Sequence, residues 1–480
     1  MFRSCFSTLL FLALGLILTM TRTAPAAAVE DKYPGRVKPY VNNPRYWQYK
    51  GKPILLLGGT KDDNLFQIPD LKEHLNLLVK VGGNYIRNTM SSRKDKGFEV
   101  QPFKKLPSGK YDLNQWNEEY WNRFGNMLKL TRDRDIIVQI EVWAFHDFFR
   151  SRWEQNPWNP KNNINYTISN TMLETTYADP MKQMHAFFFT VPNLNRDFLV
   201  LKYQQKFVNK ILSYTIHHQH VLYCVTNEIH PLYSPEWGWY WSPYIKWTGD
   251  FIGNKMEFTE MFWTPDLKAG QHRACLDRPE FYSFFEASQN SSNKTGQDNW
   301  DDLQFVYNYL AKSPRPINHV KIYGTEIKPY GKALDRDALA RFWRNIIGGS
   351  ASSRFHRPPA GIGLNDPAQA HIKSMRLLQN ELDIFNCTPD SKSELLSDRD
   401  VNEAYLTCIA GQQYAVYFPD GGSVGVDLSG ADGSFTMRWL DIEHSKWQAP
   451  QTIKGGETIT LKTPGSGHWL ALLTKKKERK

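Results

Sequence analysis

The sequence predicts an α/β protein, a (β/α)8 barrel of the TIM type followed by a small all-β sandwich. Three observations predict it. Strand-like apolar runs alternate with helical periods from about Pro53 to Leu378, as expected of βα units building a parallel sheet. Eight such strands in ~320 residues suit a barrel with insertions. After about Asp383 the chain turns to short strands separated by Gly-containing turns, the texture of a sandwich. The boundaries read as a signal peptide over 1–28, the barrel over 29–383 and the β-sandwich over 384–480.

The first strand runs from Ile54 to Thr60, and a helix opens at Asp70 with Glu73 three residues on as a capping-box partner. Leu71, Leu75, Leu78 and Val79 fall on one face of that helix. The second strand lies around Asn84–Asn88, after Gly82-Gly83, and a helix follows from about Trp116 to Leu130. Strand three is Ile136–Val142. A loop of roughly fifty residues comes next, far longer than a connection needs, and is a candidate wall of a binding site. Val200, Tyr203, Phe207, Val208 and Ile211 set a helical face before strand four, Val221–Thr226. Later strands are expected near Met256–Phe262, Phe281–Phe285, Val320–Tyr323 and Ser350–Phe355. In the second domain, Ala404–Ile409, Tyr414–Phe418, Val424–Leu428, Phe435–Leu440, Thr458–Leu461 and Trp469–Leu473 read as strands. Asp420-Gly421-Gly422, Asp432-Gly433 and Gly455-Gly456 supply turns.

Composition narrows the function classes. Aromatic residues make up 14% of the 480, with 16 Trp, 23 Tyr and 27 Phe. Flat rings with a polar edge suit the faces of sugars as well as a core. Arg3, the apolar run Leu9–Leu18 and Ala26-Ala27-Ala28 form a signal peptide, and no later segment is apolar enough to span a bilayer. Export to the extracellular or periplasmic space, without membrane insertion, follows. Of the formal charge of +10, two charges leave with Arg3 and Arg22 and four sit in the tail Lys475–Lys480, which leaves about +4 on the body. That balance gives no reason to expect nucleic acid as a partner. Cys224 reads as a buried thiol, and export permits a disulfide between Cys387 and Cys408 without spacing establishing one. No Cys/His cluster has zinc spacing, and H-E-x-x-H does not occur. Neither a metal nor a cofactor is expected.

Barrel chemistry belongs at the C-terminal strand ends. Thr226-Asn227-Glu228 ends strand four and Thr325-Glu326 ends strand seven. Two such carboxylates meet the needs of glycoside hydrolysis, one protonated to donate to the leaving oxygen and one ionised to attack or to activate water. Taken singly, a strand-end Glu more often caps a helix or meets an Arg. Glu257, Glu260 and Glu286 are rival carboxylates should the strand register differ. Trp143 and His146 follow strand three and are candidates to touch substrate, although a Trp there also suits simple packing. Trp237, Trp239, Trp241 and Trp247 crowd the stretch after strand four, as sugar platforms or as the buried face of a strand. Asp62 and Asp63 either bind sugar hydroxyls or cap the next helix. Arg354, His356 and Arg357 form a basic cluster, either a salt-bridge network or a fork for a carboxylate or sulfate on the substrate.

With these residues in hand, the chain resembles the large superfamily of retaining glycoside hydrolases with an Asn-Glu acid/base on strand four and a Glu nucleophile on strand seven. More narrowly it resembles the apiosidase-like family that carries a C-terminal module named for collagen binding. The supporting stretches are Gly51-Lys52-Pro53, His217–Ile229, Asn318–Ile327, Tyr414–Gly422 and Met437–Trp447. The resemblance implies Glu228 as acid/base, Glu326 as nucleophile, Asn227 on the sugar 2-hydroxyl, and Arg87 beneath the nucleophile. It departs from the superfamily where a Trp often ends strand eight, since Arg354-Phe355-His356-Arg357 stands there. The implied substrate is a plant or algal polysaccharide or oligosaccharide, anionic or sulfated ones included. The alternative is a non-catalytic carbohydrate- or collagen-binding protein on the same scaffold.

Overall fold

The computed structural model describes residues 31–91, 93–94, 96–177, 179, 183–324 and 335–476. The signal peptide expected over 1–28, Thr325 and Glu326 at the end of the expected strand seven, and the last residues of the basic tail lie outside the described residues.

Eight strands follow one another in parallel. They are β1 (Leu56–Gly59), β2 (Tyr85–Thr89), β3 (Ile137–Ala144), β4 (Val221–Asn227), β5 (Phe258–Thr259), β6 (Phe285–Glu286), β7 (Ile317–Asn318) and β8 (Ser352–Phe355). Regular pairing joins β2 to β3, β3 to β4, β4 to β5, β6 to β7 and β8 back to β1. Backbone hydrogen bonds outside the regular ladders carry the other links, and the β7–β8 link also has a parallel bridge between Ile322 and Phe355. Asn84 N–H donates to Leu57 O at 2.8 Å, Phe284 to Phe258 at 3.3 Å, and Ala351 to Ile317 at 2.9 Å. The succession therefore returns to its first strand. β1 approaches β2 so closely that a Cβ on Gly58 would collide with the Tyr85 carbonyl oxygen. Nearly all residues of the eight strands are buried, as expected of parallel strands covered on both faces.

The connecting helices that matter for the site are α1 (Leu71–Lys80), α2 (Glu118–Arg132), α3 (Phe198–Thr215), α4 (Glu236–Phe251), α5 (Gly296–Tyr309), α6 (Asp335–Ile347) and α7 (Asp366–Gln379). α3 buries all five residues of its expected face. The expected capping box of α1 does not form. Asp70 makes no side-chain cap and instead pairs with Lys61, and Val79 turns to solvent. α2 starts later than the apolar period suggests, because Asn117 caps it while Trp116 still belongs to a strand, Tyr111–Trp116. The Trp-rich stretch after β4 is helix α4, entered from Pro235. Trp237 and Trp241, four residues apart, share its buried face.

All six expected strands of the second domain form, with Thr388–Pro389, Leu396–Ser397, Lys446–Trp447 and Gln451–Lys454 in addition. They divide into a seven-stranded and a three-stranded antiparallel sheet. Alternation sorts the larger sheet's residues: Leu406, Val416, Phe418 and Leu473 face the smaller sheet. Tyr405, Tyr417, Leu440 and Leu470 join the core of the first domain. Tyr417 stacks on Trp343 of α6 at 5.6 Å. Cys387 and Cys408 are buried free thiols, as is Cys224.

Candidate active site

A cavity of about 550 Å3 opens over the C-terminal ends of the strands. The strand ends contribute Arg87, Asn227 and Glu228, together with Lys321 and Tyr323 just past β7. The long segment after β3 closes one side with His146, Phe149, Arg150, Arg152 and Asp179, so it forms the wall its length suggested. Trp263 beyond β5 supplies an aromatic face. It meets His146 edge-on at 5.4 Å, and its ring lies 4.9 Å from that of His230.

Glu228 occupies a strained position. Its φ of +62° lies in the left-handed region, which a non-glycine residue adopts at a cost of roughly 1–3 kcal/mol. The bends on either side are fixed by β4 and by Ile229, whose N–H donates to Met261 O at 2.9 Å. The carboxylate is ringed by donors. Oε1 accepts from Gln289 Nε2 at 2.8 Å, from the Tyr323 hydroxyl at 2.7 Å and from Lys321 Nζ. Oε2 lies 3.0 Å from His146 Nε2. Burial opposes ionisation here, but Lys321 and His146 outweigh it and hold the carboxyl well below the usual range. Glu228 is therefore an anion in this state. Lys321 also donates to Asn227 Oδ1 at 2.8 Å.

Asp63 is a second buried carboxylate and a hub. It accepts from Arg93 at 2.7 Å, pairs with Arg357 at 2.6 Å, and accepts from Arg87, whose Nε reaches Glu141 at 2.6 Å. Arg93 also holds Asp147 at 2.7 Å. Burial alone would raise the Asp63 pKa; Arg87, Arg357 and Arg93 drive it far down. His356 is buried beside it, 3.9 Å from Oδ1, and burial drives its pKa well below the ordinary value, so it is neutral.

Several expected site residues sit elsewhere. Arg354 points into the interior of the strand ring, donating to Val320 O and Thr60 Oγ1, so only His356 and Arg357 of the basic cluster line the cavity. Residues 354 and 356 share a side of the strand, but Arg354 lies within β8, two residues deeper, whereas His356 stands just past its end. Asp62 pairs with Lys96 and accepts from the Asp63 N–H, away from the cavity. Trp143 packs among Trp158, Phe187, Phe207 and Trp241 at 5.3–6.1 Å. Trp237 is fully buried with its indole N–H on Thr226 Oγ1, and Trp239 donates to Ala274 O under Arg278. None of the three lines the cavity. Among the rival carboxylates, Glu260 accepts from the Thr226 N–H, and Glu286, pushed up to about 7 mainly by burial, accepts from Gln139. Glu257 approaches Arg36 at 3.9 Å, and none of these faces the cavity either.

Lys321, Tyr323, Gln289, Arg93 and Trp263 were not anticipated. A signal for Lys321 was present, a lone charge inside the apolar run Val320–Tyr323. The loop residues carry no such mark.

No protein-family model and no curated protein sequence matches the chain. Solved structures do. One described as a glycoside hydrolase has a TM-score of 0.65 at 12% identity, over 93% of this chain and 98% of its own. A glycoside hydrolase family 5 protein from Bacteroides vulgatus has a TM-score of 0.63 at 15% identity, over 92% and 94%. A noncanonic maltogenic alpha-amylase from Thermotoga neapolitana has a TM-score of 0.50 at 8% identity, over 88% and 99%. At these identities the likeness is one of fold, shared across nearly the whole chain. Among the described residues, no helix is long and apolar enough to cross a membrane.

Proposed function

We propose that this chain is an exported retaining glycoside hydrolase, a (β/α)8 barrel over 29–383 with a β-sandwich over 384–480. The observation that carries the reading is Glu228 itself. It is a strained carboxylate just past the fourth strand, ringed by four donors in a cavity large enough for sugar rings. Strain of this kind is retained where surrounding structure enforces it, and it clusters at functional sites. The fold shared with glycoside hydrolases supports the same reading, as does the sequence resemblance to the apiosidase-like family.

In the proposed reaction Glu228 gives its proton to the departing oxygen as Glu326 attacks the anomeric carbon to form a glycosyl-enzyme. Glu228 then takes a proton from a water that attacks the same carbon, which breaks the bond to Glu326 and releases the sugar. The anionic form of Glu228 is the one that the second step uses. Asn227 and Trp263 hold the sugar, the latter in the place of a platform from strand eight. The substrate is a plant or algal polysaccharide or oligosaccharide. Arg152 and Arg357 at the cavity favour one bearing carboxylate or sulfate groups, because guanidinium binds such oxyanions in a fork. The test is release of reducing ends from neutral, uronic and sulfated polysaccharides by the wild type and by Glu326→Ala. Release by the wild type alone supports the proposal. Near-normal release by Glu326→Ala dismisses the nucleophile, and binding without release by the wild type favours a non-catalytic binding protein.

A further inference from the structure

Lys321 stands in the interior of the strand ring, its side chain 1% exposed against 12% for Glu228. A buried ammonium is costly unless paired and hydrogen-bonded. Its partners are the two adjacent residues that end the fourth strand, Asn227 through Oδ1 at 2.8 Å and Glu228 through Oε1. The surroundings leave this pairing little competition. Facing it are Arg87 of β2, Glu141 of β3, His146 after β3, Cys224 of β4, Tyr323 after β7 and His356 after β8. Arg87 and Glu141 are paired with each other at 2.6 Å. Burial keeps the Cys224 thiol and the Tyr323 hydroxyl protonated and His356 neutral.

We propose that Lys321 is a positioning residue for Glu228, a buried ammonium that clamps the Asn227-Glu228 pair and fixes the orientation and charge of the Glu228 carboxylate. The inference deepens the proposed function and rests on it for its catalytic meaning, but the contact itself is tested without any substrate. The geometry assigns the clamp two tasks. It holds the carboxylate aimed at the cavity against its left-handed backbone, and it supplies the positive charge that offsets burial. Turnover by Glu228 as an acid then requires a proton to reach a carboxylate that Lys321 stabilises as the anion. The lysine therefore sets the pH at which that role is available.

The experiment is an infrared difference titration of the Glu228 carboxyl, obtained by subtracting Glu228→Gln from the parent protein. It is run in the wild type, in Lys321→Met and in Lys321→Arg, with circular dichroism to confirm folding. In the wild type the carboxyl should titrate below the ordinary glutamate value of about 4.3. Lys321→Met should raise that midpoint by about 1–3 pH units, the effect of losing an opposite charge at this range. Lys321→Arg should keep it low. A wild-type midpoint at or above the ordinary value overturns the proposal even if neither variant folds. So does an unchanged midpoint in folded Lys321→Met. A purely structural lysine would alter stability without moving the Glu228 midpoint. The absence of hydrolysis on any polysaccharide would count against the proposed function and leave this titration standing.

Discussion

Asp63→Asn is the substitution with the most to say about how the cavity is held together. The side chain keeps its shape and loses its charge, while Arg87, Arg93 and Arg357 remain around it. Two of these retain another carboxylate, Arg87 with Glu141 and Arg93 with Asp147. Removing one member of a buried ion-pair network costs roughly 3–5 kcal/mol, and the two retained partners place this case at about 3 kcal/mol. That is more than a hundredfold in the folded-to-unfolded ratio, at about 1.4 kcal/mol per tenfold. Urea unfolding at neutral pH measures it. The acid side adds a second reading. The folded-state pKa of Asp63 is depressed, because the three guanidiniums outweigh burial. Its stabilisation is therefore present above the unfolded value of about 3.9 and lost as pH falls below it. The wild type should lose stability through that window more steeply than Asp63→Asn. A variant within about 1 kcal/mol of the wild type at neutral pH, with an unchanged acid slope, would refute the idea that Asp63 is the hub.

Trp143→Ala should cost about 3–5 kcal/mol of stability as a core truncation, seen in thermal unfolding, with the affinity of folded protein for glycan unchanged. Trp263→Ala should behave the opposite way, with little loss of stability and KM raised about fivefold, roughly 1 kcal/mol of ring contact. Equal KM in the variant and the wild type would remove Trp263 from the sugar site. Arg357→Gln should lower turnover of a uronic substrate relative to its neutral counterpart by about tenfold or more, the worth of a hydrogen bond to a charged group. An unchanged ratio would point to a purely structural pairing with Asp63.

The fold was more legible in the sequence than the site, for physical reasons. Strand positions follow from apolar runs and turn residues, which act locally, so β1 to β4 and the six second-domain strands fall within a few residues of expectation. The Trp-rich stretch is a helix, neither a sugar platform nor a strand. Trp237 and Trp241 lie four apart, a helical period, and both pack inward. Asp70 looked like a cap by position, but a tertiary partner, Lys61, drew its carboxylate away. Asn227, Glu228, Arg87, His146 and Asp63 do come together at the cavity. What sequence could not supply was the partner of each. Lys321 lies 93 residues beyond Glu228, and Arg93 and Arg357 meet at Asp63 from widely separated parts of the chain. Such pairings are set by closure of the strand ring, and no periodicity encodes them.

The most direct test exchanges one carboxylate oxygen for an amide nitrogen. On whichever polysaccharide releases reducing ends with the wild type, Glu228→Gln should retain the fold and lose about 10²–10⁴-fold in rate, the share carried by a positioned acid/base. A folded Glu228→Gln protein that hydrolyses the same polysaccharide at the wild-type rate would contradict the account at its centre.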